Sequence, residues 1–131
     1  MFLTKLFTII AASVTLRDCG DVSDQAKITG MGFYPLNPIP NQETELWVSY
    51  DLNSIITGGT ATYSYSFNGI PFSPTIEDLC IQTVCPKNIG DYNETSKSTF
   101  PSGVSGKVIS KIQWENQNFQ PIWCLEMTFK F

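Results

Sequence analysis

The chain contains no histidine. That absence excludes Ser-His-Asp and Cys-His relays, His metal sites and an imidazole switch between about pH 5 and 8. Charge is scarce too. Asp, Glu, Lys and Arg make up 15% of the 131 residues, against about 25% in an average domain. Cations are the scarcer sign, 8 against 12, for a net charge of −4. A nucleic-acid partner is therefore excluded, because it requires a dense basic surface to displace counterions. No hydrophobic run approaches the roughly 20 residues that cross a bilayer. No stretch keeps a helical period, and residues 16–131 hold no repeat, low-complexity tract or linker. Apolar residues, by contrast, are plentiful: 42% hydrophobic and 13% aromatic. The length fits one domain with one packed core, and disorder is not expected. A small, weakly charged, aromatic-rich chain without histidine suits a binding module better than a catalyst.

Catalytic and metal motifs are missing on closer inspection. The adjacent acidic pair Glu77-Asp78 falls in an expected loop with no partner for acid–base work, so solvated loop charge explains it. Asp18, Asp21 and Asp24 lack the loop glycine and terminal Glu of a calcium hand. Gly30-Met31-Gly32 is followed by neither the further glycine nor the helix of a dinucleotide loop. We therefore expect no enzyme activity, no cofactor and no metal.

The N-terminus reads as an address. Lys5 is a minimal basic region, Leu6–Ala12 is a short apolar run, and Ala11 with Ser13 supplies small residues at cleavage spacing. Residues 1–13 are expected to be a signal peptide and 16–131 the mature domain. A buried first strand is the rival explanation of the run. Cys19, Cys80, Cys85 and Cys124 form an even set, which in a secreted chain means two disulfides with three open connectivities. The four residues between Cys80 and Cys85 make a local staple natural. A four-Cys metal site would need paired CxxC knuckles, which are absent. Asn93-Glu94-Thr95 is an N-glycosylation sequon and puts Asn93 on the surface. The product is expected to be secreted or to reside in the lumen of an endosome, lysosome or vacuole.

Period-two alternation dominates the rest. Ala61, Tyr63, Tyr65 and Phe67 oppose Thr60, Thr62, Ser64 and Ser66. Trp123, Leu125, Met127, Phe129 and Phe131 oppose Cys124, Glu126, Thr128 and Lys130. Val108, Ser110, Ile112 and Trp114 form a third stripe, and Leu46, Val48 and Tyr50 a fourth. Ile28, Met31 and Phe33 suggest a fifth, weakened by Gly30 and Gly32. Gly58-Gly59 is expected to join strands near Leu46–Ile56 and Thr60–Phe67 as a hairpin. Asn68-Gly69 ends the next strand, and Pro71 with Pro74 stops its continuation. The expected fold is all-β, an antiparallel sandwich. Three connectors are unusually apolar: Phe33–Pro40, Ile70–Pro74 and Phe100-Pro101. Any one of them could simply cap the core. Gathered at one end of the sandwich, the three would form the mouth of a hydrophobic pocket.

The ordered set Asp18-Cys19-Gly20, Gly69-Ile70-Pro71-Phe72, Cys80, Cys85-Pro86, Gly90, Phe100-Pro101, Ile112-Gln113-Trp114 and Trp123-Cys124-Leu125-Glu126 resembles the ML lipid-recognition domain family. The likeness covers nearly the whole expected mature chain. It implies the pairing Cys19–Cys124 and Cys80–Cys85. It also implies an immunoglobulin-like sandwich with a hydrophobic cavity between its two sheets. The sterol-carrier branch of that family has a third disulfide in the connector that here is the Cys-free Leu36–Gln42. In this respect the chain is more similar to the fungal phosphatidylglycerol/phosphatidylinositol transfer branch.

The resemblance implies lipid binding and transport of one sterol or phospholipid, with transient contact to a membrane or membrane protein. We expect the protein to act as a monomer. The alternative is a secreted accessory module that recognises lipid for a receptor without transferring it. Expected lining residues are Tyr63, Tyr65 and Phe67, with Ile70 and Phe72 at the mouth. Phe72 matches a pocket aromatic of the sterol carrier. Ile112, Trp114, Trp123, Leu125, Met127 and Phe129 complete the set. Plain core packing is the competing account of each.

Overall fold

A computed structural model describes residues 13–103 and 105–131. Most of the expected signal peptide lies outside these residues. The elements, in chain order, are β1 (Ser13–Asp18), β2 (Ala26–Tyr34), β3 (Glu43–Leu52), β4 (Gly59–Phe67), β5 (Ile70–Pro71), β6 (Thr75–Asp78), α1 (Leu79–Gln82), β7 (Gly90–Thr99), β8 (Lys107–Asn116) and β9 (Pro121–Lys130). Every pairing is antiparallel. The larger sheet has six strands, ordered β1-β9-β8-β4-β5 with β6 also on β4, and the smaller has three, ordered β2-β3-β7. The two sheets form the expected all-β sandwich.

Register explains which side chains face inward. Ala61 lies opposite Trp114, Tyr63 opposite Ile112 and Phe67 opposite Val108. Trp114, Ile112 and Val108 in turn face Trp123, Leu125 and Phe129. In the smaller sheet the buried side chains Leu46, Val48, Tyr50 and Leu52 alternate along β3. The uneven stripe Ile28, Met31, Phe33 is restored by a β-bulge between Ile28 and Gly30. The extra residue returns all three to the inner face, opposite Tyr50, Val48 and Leu46.

Two turn expectations change. Gly58-Gly59 does not close a hairpin. β3 ends at Leu52 and pairs with β2 and β7, whereas β4 pairs in the other sheet. The glycines therefore belong to a crossover between sheets. Gly59, at φ 143°, enters β4 against the Glu115 carbonyl, where a Cβ would collide. The tight hairpin is instead Asn68-Gly69, with φ of 50° and 85°, which folds Ile70-Pro71 back onto Phe67 and Ser66. Pro71 is tolerated because β5 lies at the edge of the sheet.

Both disulfides have the expected pairing, Cys19–Cys124 and Cys80–Cys85. Cys124 lies near the start of β9, so both bridges sit toward the end that carries the β8–β9 turn and the α1 loop. The opposite end carries the Asn68-Gly69 hairpin and the β2–β3 and β7–β8 connectors, and no bridge.

Candidate functional site

Among the described residues the sheets meet along one long side. There β2 packs on β1 and β9, while on the other side β7 has no comparable packing against β4, β5 or β6. The splay leaves a cavity of about 890 Å³ between the sheets. Its opening runs between the β7 edge and the strip formed by Phe72, Thr75, Glu77 and Gln82. Exposure along β4 follows the splay: Ala61 is fully buried, Tyr63 half-buried and Tyr65 45% exposed.

The larger sheet supplies Tyr63, Tyr65, Phe67, Val108, Ser110 and Ile112 to the cavity wall. Trp114, Trp123, Met127 and Phe129 extend the same wall. The Trp114 and Trp123 rings lie 4.5 Å apart, and their indole N–H groups are buried with no hydrogen-bond partner among the described residues. Phe33, Leu46 and Val48 contribute from the smaller sheet, and Phe100 closes on Phe129 at 4.8 Å.

Nine of the expected residues thus come together: Tyr63, Tyr65, Phe67, Phe72, Ile112, Trp114, Trp123, Met127 and Phe129. Leu125 and Ile70 do not border the cavity. Leu125 is fully buried core, and Ile70 is 64% exposed on the hairpin. The three apolar connectors do gather at the end without disulfides. Of them, Phe33, Phe72 and Phe100 reach the cavity, while Tyr34, Leu36 and Ile39 point to solvent.

One wall was missed altogether. β7 reads Gly-Asp-Tyr-Asn-Glu-Thr-Ser-Lys-Ser-Thr, with no apolar stripe to announce a strand. Its pairing with β3 sets Glu94, Ser96 and Ser98 opposite Val48, Leu46 and Thr44, so these polar side chains face inward. Glu94 is the hub. Its carboxylate accepts from the Tyr50 hydroxyl at 2.8 Å, from Thr83 Oγ1 at 3.1 Å and from Lys87 Nζ at 3.2 Å. Lys87 is 7% exposed, and its ammonium also sits 4.0 Å from the centre of the Tyr92 ring. Burial, then the bond to Glu94, pushes the Tyr50 phenol up, so it stays protonated as a donor. This cluster ties the α1 loop to β7 and closes the disulfide end of the seam. Farther along, Tyr63 donates to Gln82 Oε1 at 2.9 Å, and Gln82 donates to Glu77. Burial, then the charge of Glu77, raises the Tyr63 phenol.

The site is therefore an apolar chamber with one polar wall and a polar rim. Among the described residues no cluster could hold a metal ion. Asn93 is exposed on β7, facing away from the chamber.

A family model, the ML domain, matches residues 13–131. The chain belongs to the ML domain family. Relatives of this ML domain include a Dictyostelium discoideum protein named as a phosphatidylglycerol/phosphatidylinositol transfer protein, 36% identical over 86 residues. That match spans 64% of this chain and 57% of the relative, so the chain spans little more than half the length of that protein. A second Dictyostelium discoideum relative of the same description is 25% identical over 114 residues, spanning 84% of this chain and 81% of its own. Among solved structures, a Niemann-Pick type C2 protein from the Japanese carpenter ant superposes with a TM-score of 0.66 at 13% identity. It covers 87% of this ML domain chain and 96% of its own. Chicken MD-1, solved in complex with lipid IVa, superposes with a TM-score of 0.69 at 14% identity, covering 92% and 90%. Both share the sandwich fold of this ML domain.

Proposed function

We propose that this protein carries one phospholipid between its sheets and moves it between membranes. The observation that carries this is the 890 Å³ apolar chamber opening along the unsealed seam. Its size falls in the range of roughly 300–1,000 Å³ typical of small-molecule sites. Each buried methylene contributes about 0.8 kcal/mol. An acyl chain therefore contributes on the order of 10 kcal/mol, comparable to the cost of immobilising the ligand. A chain leaving a bilayer for this chamber exchanges one apolar surrounding for another, so loading and release are both accessible.

Phospholipid is favoured over sterol by the polar wall. Ser96 and Ser98 beside the opening offer hydroxyls to a headgroup and its ester region. The relatives named as phosphatidylglycerol/phosphatidylinositol transfer proteins support the same choice. The lipid IVa complex of chicken MD-1 supports an acylated occupant for this fold. The protein acts without catalysis, as a monomer, in a secretory or endosomal lumen, where its two disulfides are stable. Exposed Tyr34, Leu36, Ile39, Ile70 and Phe72 at the end without disulfides would meet the membrane during exchange.

Binding of a fluorescent phospholipid and a fluorescent sterol tests this. Phospholipid is expected to bind, and Ser110→Trp, which fills the chamber from its floor, is expected to abolish binding in a folded protein. Binding of sterol alone would reverse the ligand class. Binding of neither, with the circular dichroism of the fold intact, would overturn lipid carriage.

A further inference from the structure

The outer face of the smaller sheet carries a feature that lipid carriage does not use. Register places Trp47 between Gly32 of β2 and Thr95 of β7, and Ser49 between Gly30 and Asn93. The Trp47 indole lies across the two glycines. A Cβ on Gly30 would stand 3.2 Å from the ring, and one on Gly32 would collide with it. The ring stays 37% exposed, whereas Trp114 and Trp123 are 6% and 3% exposed. A half-open indole is thus set on a face that also carries Lys27, Glu45, Ser49, Asp51, Thr95 and Lys97, with exposed Tyr34 at its far end beside Glu45.

The sequon shares that face. Asn93 and Thr95 both project outward and are exposed, while Glu94 between them projects inward to Lys87 and Tyr50. Strand β7 is an edge, with no strand beyond it among the described residues. Asn93 Nδ2 donates one hydrogen to Ser49 Oγ at 2.8 Å. An amide nitrogen has two hydrogens, so substitution of the other leaves this bond in place. Asn93 and Trp47 are diagonal neighbours across adjacent strands, about 7–8 Å apart at Cα.

We propose that Asn93 carries an N-linked glycan whose inner sugars rest on the Trp47 indole. The donor is a polyprenol-diphosphate-linked oligosaccharide. The Nδ2–C1 bond forms, the C1–O bond to diphosphate breaks, the diphosphate leaves with the electron pair, and the proton released from Nδ2 passes to solvent. The apolar C–H face of a pyranose then covers the exposed side of the indole. Hydrated sugar on β7 also shields a ten-residue edge strand that has no proline or bulge to prevent pairing with a second copy. The glycan projects from the face opposite Glu94, Ser96 and Ser98, so it leaves the chamber opening free. The proposal is independent of lipid binding and requires only passage through an oxidising lumen.

The full chain, produced in a eukaryotic secretory host, is mapped by peptide mass spectrometry before and after peptide:N-glycosidase treatment. Occupancy is expected on the Asn93 peptide and is expected to be lost in Thr95→Ala. Trp47 is the exposed tryptophan, so acrylamide quenching of folded protein reports on it. Enzymatic deglycosylation is expected to raise the quenching constant, and this comparison does not depend on any variant folding. An unmodified Asn93 in disulfide-bonded product overturns the site, as does a chain that never enters the lumen. A modified Asn93 with unchanged quenching overturns the packing on Trp47.

Discussion

Lys87 Nζ lies 3.2 Å from Glu94 Oε2, joining the loop after the Cys80–Cys85 bridge to the edge strand β7. Their contact, with Thr83 and Tyr50, adds side-chain ties at the disulfide end of the seam to the backbone bridge between Lys87 and Ile56. Removing one partner leaves a charge in a buried position. Glu94→Ala is expected to cost about 3 kcal/mol, because the Lys87 ammonium is stranded. The double variant Lys87→Met/Glu94→Gln is expected to recover most of that loss. Urea unfolding with an unchanged m-value checks both.

Phe72 separates binding from stability. It is 58% exposed yet borders the chamber, and its N–H donates to the Tyr65 carbonyl at 2.8 Å, which any residue but proline preserves. Phe72→Ala is expected to change stability by less than about 0.5 kcal/mol. Phospholipid affinity is expected to fall about tenfold, equivalent to 1.4 kcal/mol. Ile70→Ala, two residues earlier on the same arm of the hairpin and outside the chamber, is expected to leave equilibrium affinity unchanged while slowing transfer between vesicles. Titration with a fluorescent phospholipid and a vesicle-to-vesicle transfer assay distinguish the two.

The bridges differ in the loop that they close. Cys19–Cys124 spans 105 positions and Cys80–Cys85 spans 5. By chain entropy, replacing the first pair with serine is expected to cost about 4.7 kcal/mol and the second about 2 kcal/mol. Denaturant midpoints of the two double variants give the comparison, and equal losses would contradict the entropic account.

Acidity acts on the smaller sheet through Asp51, which lies directly opposite Asp91. The side-chain hydrogen bond to Asp91, followed by its charge, raises the Asp51 carboxyl above its usual 3.8. The folded state therefore holds a proton that the unfolded chain releases. The associated stability is present below the ordinary carboxylate range and is lost as the pH rises through the raised folded value. Asp51→Asn is expected to raise the melting temperature at neutral pH and leave it unchanged near pH 3. Thermal melts across that interval check the sign.

Strand-level features were legible where one face of a strand is apolar. β4, β8 and β9 show strict or nearly strict alternation, and the structure puts those stripes on the chamber wall. β7 was illegible because the face it turns inward is itself polar, so alternation carries no contrast there. Gly58-Gly59 misled because a glycine pair permits a hairpin without requiring one. Whether the chain turns back or crosses between sheets depends on where β3 and β4 find partners. Leu125 and Ile70 show the same limit at the site. Periodicity reports which face a side chain takes, whereas depth along the strand decides between sealed core, chamber wall and open hairpin.

The residues alone determined the class and the chemistry. Without histidine, and with few charges and many alternating aromatics, the chain can make an oxidisable, antiparallel sandwich with apolar connectors. Only the tertiary structure decided that the sandwich is unsealed on one side. That outcome depends on β2 meeting β1 and β9 while β7 stands clear of β4 to β6, a balance of contacts between strands far apart in sequence. The same assembly turned Glu94 inward and Asn93 outward, because alternation on a strand gives neighbouring residues opposite faces, and pairing with β3 decides which face each receives.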